Sequence, residues 1–236
     1  MNITFDIGNT AIKWATFAEH KPIASGSWIG RDGIPDEVAQ MMATSDAMIA
    51  SASGKIPSGL EDIPLLDADS PLPIKIAYRT PSTLGTDRLA GACGAKALFP
   101  GNDCLVIDAG TCITVDFISA DGTYHGGAIM PGLQMNLHSL HTFTAKLPLI
   151  SLDGIDHAPL LGRTTEESIL AGTLGASLLA IAGFIAAYRQ KCPALQVVLT
   201  GGDAELLSQG GTAGWHIEPM LNMIGLNEIL MTLTGK

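Results

Sequence analysis

The chain has 236 residues, 47% of them apolar and 15% charged, which excludes a disordered polymer and allows one or two domains with real cores. Its formal net charge is −10 and no stretch is rich in Lys or Arg, which excludes a nucleic-acid footprint but leaves room for a nucleotide held with a divalent cation. Cys93, Cys104, Cys112 and Cys192 form no C-x-x-C pair and lie among small or apolar residues, so reduced thiols are expected rather than a disulfide framework.

The opening MNITFDIGNT has neither the basic run nor the apolar stretch of a secretory leader, and a cytoplasmic protein is expected. Residues 2–17 alternate apolar and polar around Gly-Asn-Thr, with Ile3, Phe5 and Ile7 on one face, which predicts a strand, a tight turn and a second strand. Residues 46–53 predict a short apolar strand, and the Pro-rich residues 57–81 irregular chain. An Ala-rich helix is expected over residues 86–99, opened by Asp87 and stopped before Pro100-Gly101-Asn102. That stop is the expected boundary between two lobes, 1–101 and 102–236.

Residues 104–118, CLVIDAGTCITVDFI, repeat the opening: a β-rich run ends in Asp, then x-Gly, a Thr-bearing turn and another strand. Asp6-x-Gly8 and Asp108-x-Gly110 stand nearly half the chain apart, a weak internal repeat that suggests two related lobes. Next come the Gly-rich GGAIMPGL at 126–133 and a polar helix from Gln134. Thr164-x-x-Glu167 is a capping-box signature in front of the uncharged residues 168–187. That stretch is long enough to cross a bilayer, yet it is rich in Ala and Gly and has no basic flank. A helix buried between the layers of a soluble fold is expected, ending at Pro193. A buried strand at 196–200 leads into Gly201-Gly202-Asp203, and residues 221–232 predict a last helix.

The chemistry concentrates in the two Asp-x-Gly turns. A carboxylate at a strand end can hold a hydrated divalent cation, glycine lets backbone approach a phosphate, and Asn9 and Thr10 add donors. A lone Asp-x-Gly is simply a turn; its echo at Asp108-Ala109-Gly110-Thr111 favours two hairpins that grip phosphates from both lobes. There is no G-x-x-x-x-G-K-[ST], no G-x-G-x-x-G after a strand and no G-x-S-x-G, so P-loop, Rossmann and Ser-hydrolase chemistry have no signal. At Gly85-Thr86-Asp87-Arg88, Asp87 is either a helix cap or a base beside a guanidinium that can bind an anionic group. His138 and His141 read as surface residues of a helix, because no third ligand is near.

In their order and spacing these segments resemble the type III pantothenate kinases, within the acetate and sugar kinase, Hsp70 and actin superfamily. The resemblance runs nearly end to end: DIGNT at 6–10, the Tyr78 region, GTDR at 85–88, DAGTCITVD at 108–116, GGAIMPGL at 126–133, TAKLP at 144–148, LGRTTEESILAG at 161–172, LTGGDA at 199–204 and EPMLNMIGL at 218–226. It implies an α/β fold of duplicated actin-like (ribonuclease H-like) lobes with an interlobe cleft. It implies ATP-dependent phosphorylation of pantothenate to 4′-phosphopantothenate, the first step of coenzyme A biosynthesis. Asp6, Ile7, Gly8, Asn9, Thr10, Ala11, Ile12 and Lys13 would line the ATP phosphates, and Thr111 would also contact ATP. Asp87 would be the general base. Tyr78, Gly85, Thr86, Asp87, Arg88 and Thr165 would hold pantothenate. Asp108 would bind potassium or ammonium, with Mg²⁺ held together with ATP from the Asp6 side. Thr164 replaces the family's usual Asn, so either Thr164 or Thr165 is the contact. Family members are homodimers, and no nucleic acid or membrane partner is implied. The rival readings are another small-molecule kinase of the superfamily, or a non-catalytic kinase-like regulator.

Overall fold

The computed structural model describes the chain from Met1 to Gly235 except Arg31, Ala68 and residues 211–213. The first repeat folds as β1 (Asn2–Ile7) and β2 (Ile12–Ala18), followed by β3 (Lys21–Trp28), α1 (Asp36–Ala43) and β4 (Ala47–Ala52). β1 runs antiparallel to β2 and parallel to β4, giving the strand order β3-β2-β1-β4. Next in the chain are β5 (Lys75–Ile76), a single 3₁₀ turn and α2 (Thr86–Leu98).

The second repeat winds in the same way. Its strands are β6 (Cys104–Ala109), β7 (Cys112–Ile118), β8 (Thr123–Pro131) and β9 (Gln196–Thr200), in the order β8-β7-β6-β9, with β10 (Trp215–Ile217) beyond β9. β6 is parallel to β9, as β1 is to β4. The weak repeat in the sequence is thus a repeat of topology, strand for strand. β5 adds outside this motif, pairing with Thr123 and Tyr124 of β8. The helices of this half are α3 (Leu133–Thr142), α4 (Thr165–Leu170), α5 (Ala176–Lys191) and α6 (Ala204–Gln209), and the chain closes with α7 (Leu221–Thr234).

Contacts divide the chain into two units. One holds Met1–Gly101, Ile118–Gly126 and the chain from Met220; the other holds Asn102–Phe117 and Gly127–Pro219. The expected consecutive halves differ from this at 118–126 and at α7, which both pack with the first unit.

Within the first unit, β1 buries both faces. Ile3, Phe5 and Ile7 enter a core with Ile12, Trp14, Val38, Ala50 and Leu60. The polar residues between them do not face water: Asn2 is 5% exposed and Thr4 0%. Each instead meets α7. Asn2 donates from Nδ2 to Oδ1 of Asn227 at 2.9 Å, and Thr4 donates from Oγ1 to the Met223 carbonyl at 3.4 Å. Buried polar groups need such partners, since an unmatched one costs about 1–3 kcal/mol. α7 also lies directly on α2: a Cβ on Gly225 would fall 1.7 Å from the Ala90 carbonyl oxygen, so only glycine permits this approach.

The second unit packs Leu105, Ile107, Ile113 and Val115 against Leu174, Ile181, Ile185, Val197 and Leu199. α4 and α5 join through a π-helical turn, Ala171–Gly175. The expectation of a helix buried between layers is corrected here. Ile169, Thr173, Leu174, Ser177, Ile181 and Ile185 face inward, but only 33% of the most apolar window of Thr165–Lys191 is buried, and Leu179 is 64% exposed. One face lies on the sheet; the other presents small and apolar residues outward.

Candidate active site

Asp6 sits one residue before the end of β1, opposite Lys13 of β2 and Ser51 of β4. Its Oδ1 accepts from Ser51 Oγ at 2.8 Å, and its Oδ2 accepts from Asn222 Nδ2 at 3.3 Å. A carboxylate offers about four lone-pair sites, so two neutral donors fix its orientation and leave capacity for a hydrated cation. The turn beyond it closes when Gly8 donates its N–H to the Ala11 carbonyl at 3.1 Å, with Asn9 and Thr10 exposed at the tip. Ile7 and Ile12 are fully buried in the core, so what they can offer a ligand is backbone. Ser51 and Asn222 escaped the reading of the sequence. The available signal was an Asn inside an apolar terminal helix.

The start of α2 departs from expectation in one respect. The cap residue is Gly85, and Asp87 lies inside the first turn. Its Oδ1 accepts from the Arg88 backbone N–H at 2.8 Å. Arg88 is only 8% exposed, and its guanidinium carbon lies 5.8 Å from the centre of the Tyr78 ring. A cation over an aromatic face in a desolvated place is worth about 2 kcal/mol. Tyr78 in turn leans on the buried Tyr124, ring centres 6.1 Å apart. The structure therefore brings together Tyr78, Gly85, Thr86, Asp87 and Arg88.

In the second unit, Asp108 occupies the position on β6 that Asp6 has on β1, and Thr200 of β9 faces it as Ser51 faces Asp6. Gly110 donates its N–H to the Cys112 carbonyl at 3.0 Å, leaving Thr111 exposed at the tip. This hairpin is gripped from two sides. Gly132 donates its N–H to the Thr111 carbonyl at 3.1 Å, and a Cβ there would meet the Gly110 and Thr111 oxygens at 2.4 Å. Gly201, with φ +97°, lies on Ala109 so closely that a Cβ would fall 2.4 Å from its carbonyl, and Asp203 donates its N–H to that carbonyl at 2.9 Å. Burial pushes the Asp203 carboxyl above its ordinary pKa. Gly132 and Gly201, one from each Gly-rich segment, are thus supports for the Asp108 hairpin.

Thr164 caps α4: its Oγ1 accepts from the Glu167 N–H at 3.1 Å, and Glu167 Oε2 accepts from the Arg163 N–H at 2.6 Å. Thr165 follows at the first helical position, exposed. His138 and His141 are exposed on α3. None of the four cysteines is in a disulfide, and burial pushes the Cys93 thiol far up. Among the described residues no cluster of three or more His, Cys, Asp or Glu could hold a metal ion. An isolated Asp at a strand end suits Mg²⁺, which keeps most of its waters and binds through one or two carboxylates plus substrate phosphates.

Solved structures share this fold. A Campylobacter jejuni protein of the Baf family superposes with a TM-score of 0.63 at 18% identity, covering 99% of this chain and 100% of that one. The activator of 2-hydroxyisocaproyl-CoA dehydratase from Clostridium difficile, with bound ADPNP, gives 0.54 at 14% identity, covering 98% and 93%. The fold is the duplicated actin-like, ribonuclease H-like one. Sequence relationships narrow this further. The profile of the type III pantothenate kinases matches residues 62–187. The type III pantothenate kinase of Phocaeicola vulgatus is 39% identical, with 98% of each chain covered, and that of Bacteroides fragilis 38% identical, with both chains covered entirely. The chain belongs to the type III pantothenate kinase family.

Proposed function

We propose that this chain transfers the γ-phosphoryl group of ATP to the 4′-hydroxyl of pantothenate, the first step of coenzyme A biosynthesis. The observation that carries the reading is the start of α2. There a first-turn carboxylate, Asp87, stands beside a buried guanidinium laid over Tyr78, in a chain akin throughout its length to type III pantothenate kinases. Asp87 accepts the proton of the attacking hydroxyl and orients it in line with the γ-phosphorus. Tyr78, Gly85, Thr86, Arg88 and Thr165 hold pantothenate. Thr165 is preferred over Thr164 because the Thr164 hydroxyl is engaged as a cap.

The hairpin from Asp6 to Lys13 and the exposed Thr111 serve ATP. Mg²⁺, when bound with ATP, offsets charge on the phosphoryl oxygens, and Asp6 is the residue suited to hold it. Asp108 takes a monovalent cation, potassium or ammonium, which offsets phosphate charge in a chain of formal net charge −10. Phosphoryl transfer asks mainly for positioning and charge compensation, and both hairpins supply them without a covalent intermediate.

Exposed apolar side chains support a homodimer. Leu179 on the outward face of α5 is 64% exposed, and Leu160 and Leu161, in the loop before α4, are 89% and 75% exposed, more apolar surface than a lone acidic chain leaves in water. The helix Thr165–Lys191 is long and apolar enough to cross a membrane, but its inward face is spent on the sheet core, which favours a cytoplasmic enzyme. A coupled assay with ATP, Mg²⁺, potassium and pantothenate tests the reading. Pantothenate-dependent ADP release is expected; release with other hydroxyl substrates but not pantothenate would replace it with a sister kinase.

A further inference from the structure

Between the β7–β8 hairpin and the rest of its strand, Gly126 holds a conformation that side chains rarely adopt, with φ +99°. It is also the floor under the Tyr78 ring: a Cβ built on Gly126 would lie 2.8 Å from Tyr78 Cδ2 and 3.0 Å from Cε2. No real Cβ comes that close, so any side chain here moves the ring. The ring is hemmed elsewhere. Tyr124, fully buried, stands 6.1 Å away on one side, and the Arg88 guanidinium lies 5.8 Å from the ring centre. The backbone leading into Tyr78 is tied down, with Ala77 donating its N–H to the Tyr124 carbonyl at 2.9 Å and Ile76 in register with Tyr124. With the preceding backbone held and Tyr124 buried, a displaced Tyr78 ring swings on its own χ angles and changes what lies under Arg88.

We propose that Gly126 is a positioning residue for substrate recognition: its missing side chain seats the Tyr78 ring, and through that ring the Arg88 guanidinium, where they hold pantothenate. The proposal rests on the assignment of Tyr78 and Arg88 to the pantothenate site. Gly126 touches neither the substrate nor the nucleotide in this account. It acts through one aromatic ring, and that makes the proposal separable from a simple loss of stability.

The test is a double-mutant cycle with Gly126→Ala, Tyr78→Ala and the combination, reading KM for pantothenate, KM for ATP and melting temperature. Gly126→Ala is expected to raise the pantothenate KM by about ten- to a hundredfold, the scale of a misplaced binding group, and to leave the ATP KM within about twofold. In the Tyr78→Ala background the same substitution should add less than about twofold to the pantothenate KM, since no ring remains to be displaced. The backbone strain persists in both backgrounds, so the loss in melting temperature should be similar in each. If the pantothenate KM rises as much without the ring as with it, or does not rise at all, Gly126 does not act through Tyr78 and the proposal is overturned. If Tyr78→Ala itself leaves the pantothenate KM unchanged, it is the substrate-site assignment that fails, and the proposal goes with it. Gly126→Asn, whose side chain tolerates left-handed backbone better while presenting the same Cβ, gives the same reading should the alanine variant not fold.

Discussion

Asn222, in the first turn of α7, donates from Nδ2 to Oδ2 of Asp6 at 3.3 Å, although 216 positions separate the two residues. Ser51 holds the other oxygen at 2.8 Å. The carboxylate is therefore aimed by two elements that the linear sequence keeps far apart. Hydrogen bonds to charged groups are worth about 1.5–3 kcal/mol. Asn222→Ala should weaken ATP binding by about tenfold or more on that scale, with the pantothenate KM little changed. Isothermal titration with a non-hydrolysable ATP analogue checks it, and unaltered affinity would remove Asn222 from the nucleotide side.

Asp87→Asn separates a base from a structural carboxylate. Gly85, not Asp87, is the cap of α2, so the helix end should survive the change. Removing first-turn charge costs about 0.3–1 kcal/mol, whereas losing a general base costs about 10²- to 10⁴-fold in rate. The expected result is a melting temperature within a few degrees of the parent and a kcat lower by at least about a hundredfold. Early melting with full turnover per folded molecule would mean that Asp87 is structural.

Asp108 is expected to confer activation by potassium or ammonium over sodium. Initial rates in matched chloride buffers should show this preference in the parent protein and lose it in Asp108→Asn. Equal rates in all three salts for the parent would rule the cation assignment out.

On the proposed reading Thr164 caps α4 and Thr165 contacts pantothenate, two jobs that adjacent hydroxyls would otherwise blur. Thr164→Ala should lower stability by about 1 kcal/mol through the lost cap, about 2–4 °C for a chain of this size, with the pantothenate KM unchanged. Thr165→Ala should do the reverse. Paired melting curves and kinetics distinguish them, and a reversed pattern would move the substrate contact to Thr164.

Leu179 lies on the outward face of α5, 64% exposed, so a charge there should not disturb the core. Leu179→Asp should convert a dimer to a monomer in sedimentation velocity while circular dichroism stays unchanged. A parent protein already monomeric at micromolar concentration would refute the dimer.

How much of this was legible in the sequence depends on whether the signal is local. β1 with β2, and β6 with β7, were readable because their period-2 alternation is interrupted by Asp-x-Gly. β3 was not: it is an edge strand, mostly exposed, and KPIASGSW shows no apolar face. α1 buries only Val38 among its eight residues, too little to mark a helix by periodicity. β10 has three residues. The burial of the polar positions of β1 was not readable, because an alternating strand cannot reveal that a distant helix carries matching Asn222 and Asn227. The same limit hid Ser51 beside Asp6 and Gly126 beneath Tyr78. The two Asp-x-Gly turns and the Gly-Thr-Asp-Arg helix start were visible by type and spacing; the residues packed against them became visible only when separate segments were folded together.

The return of α7 to the first unit also sets an order in time. Ala15 and Phe17 pack with Met223 and Ile224, so β2 leaves the ribosome without the helix that covers it. Elongation at about 5–20 residues per second keeps that surface waiting for about ten to forty seconds. The elements on which α7 packs most extensively, α2, β1, β2 and β4, all belong to the first unit. The hairpin that opens the sequence is therefore covered only once the last helix has been made, and the nascent amino-terminal sheet is the stretch on which chaperones would act.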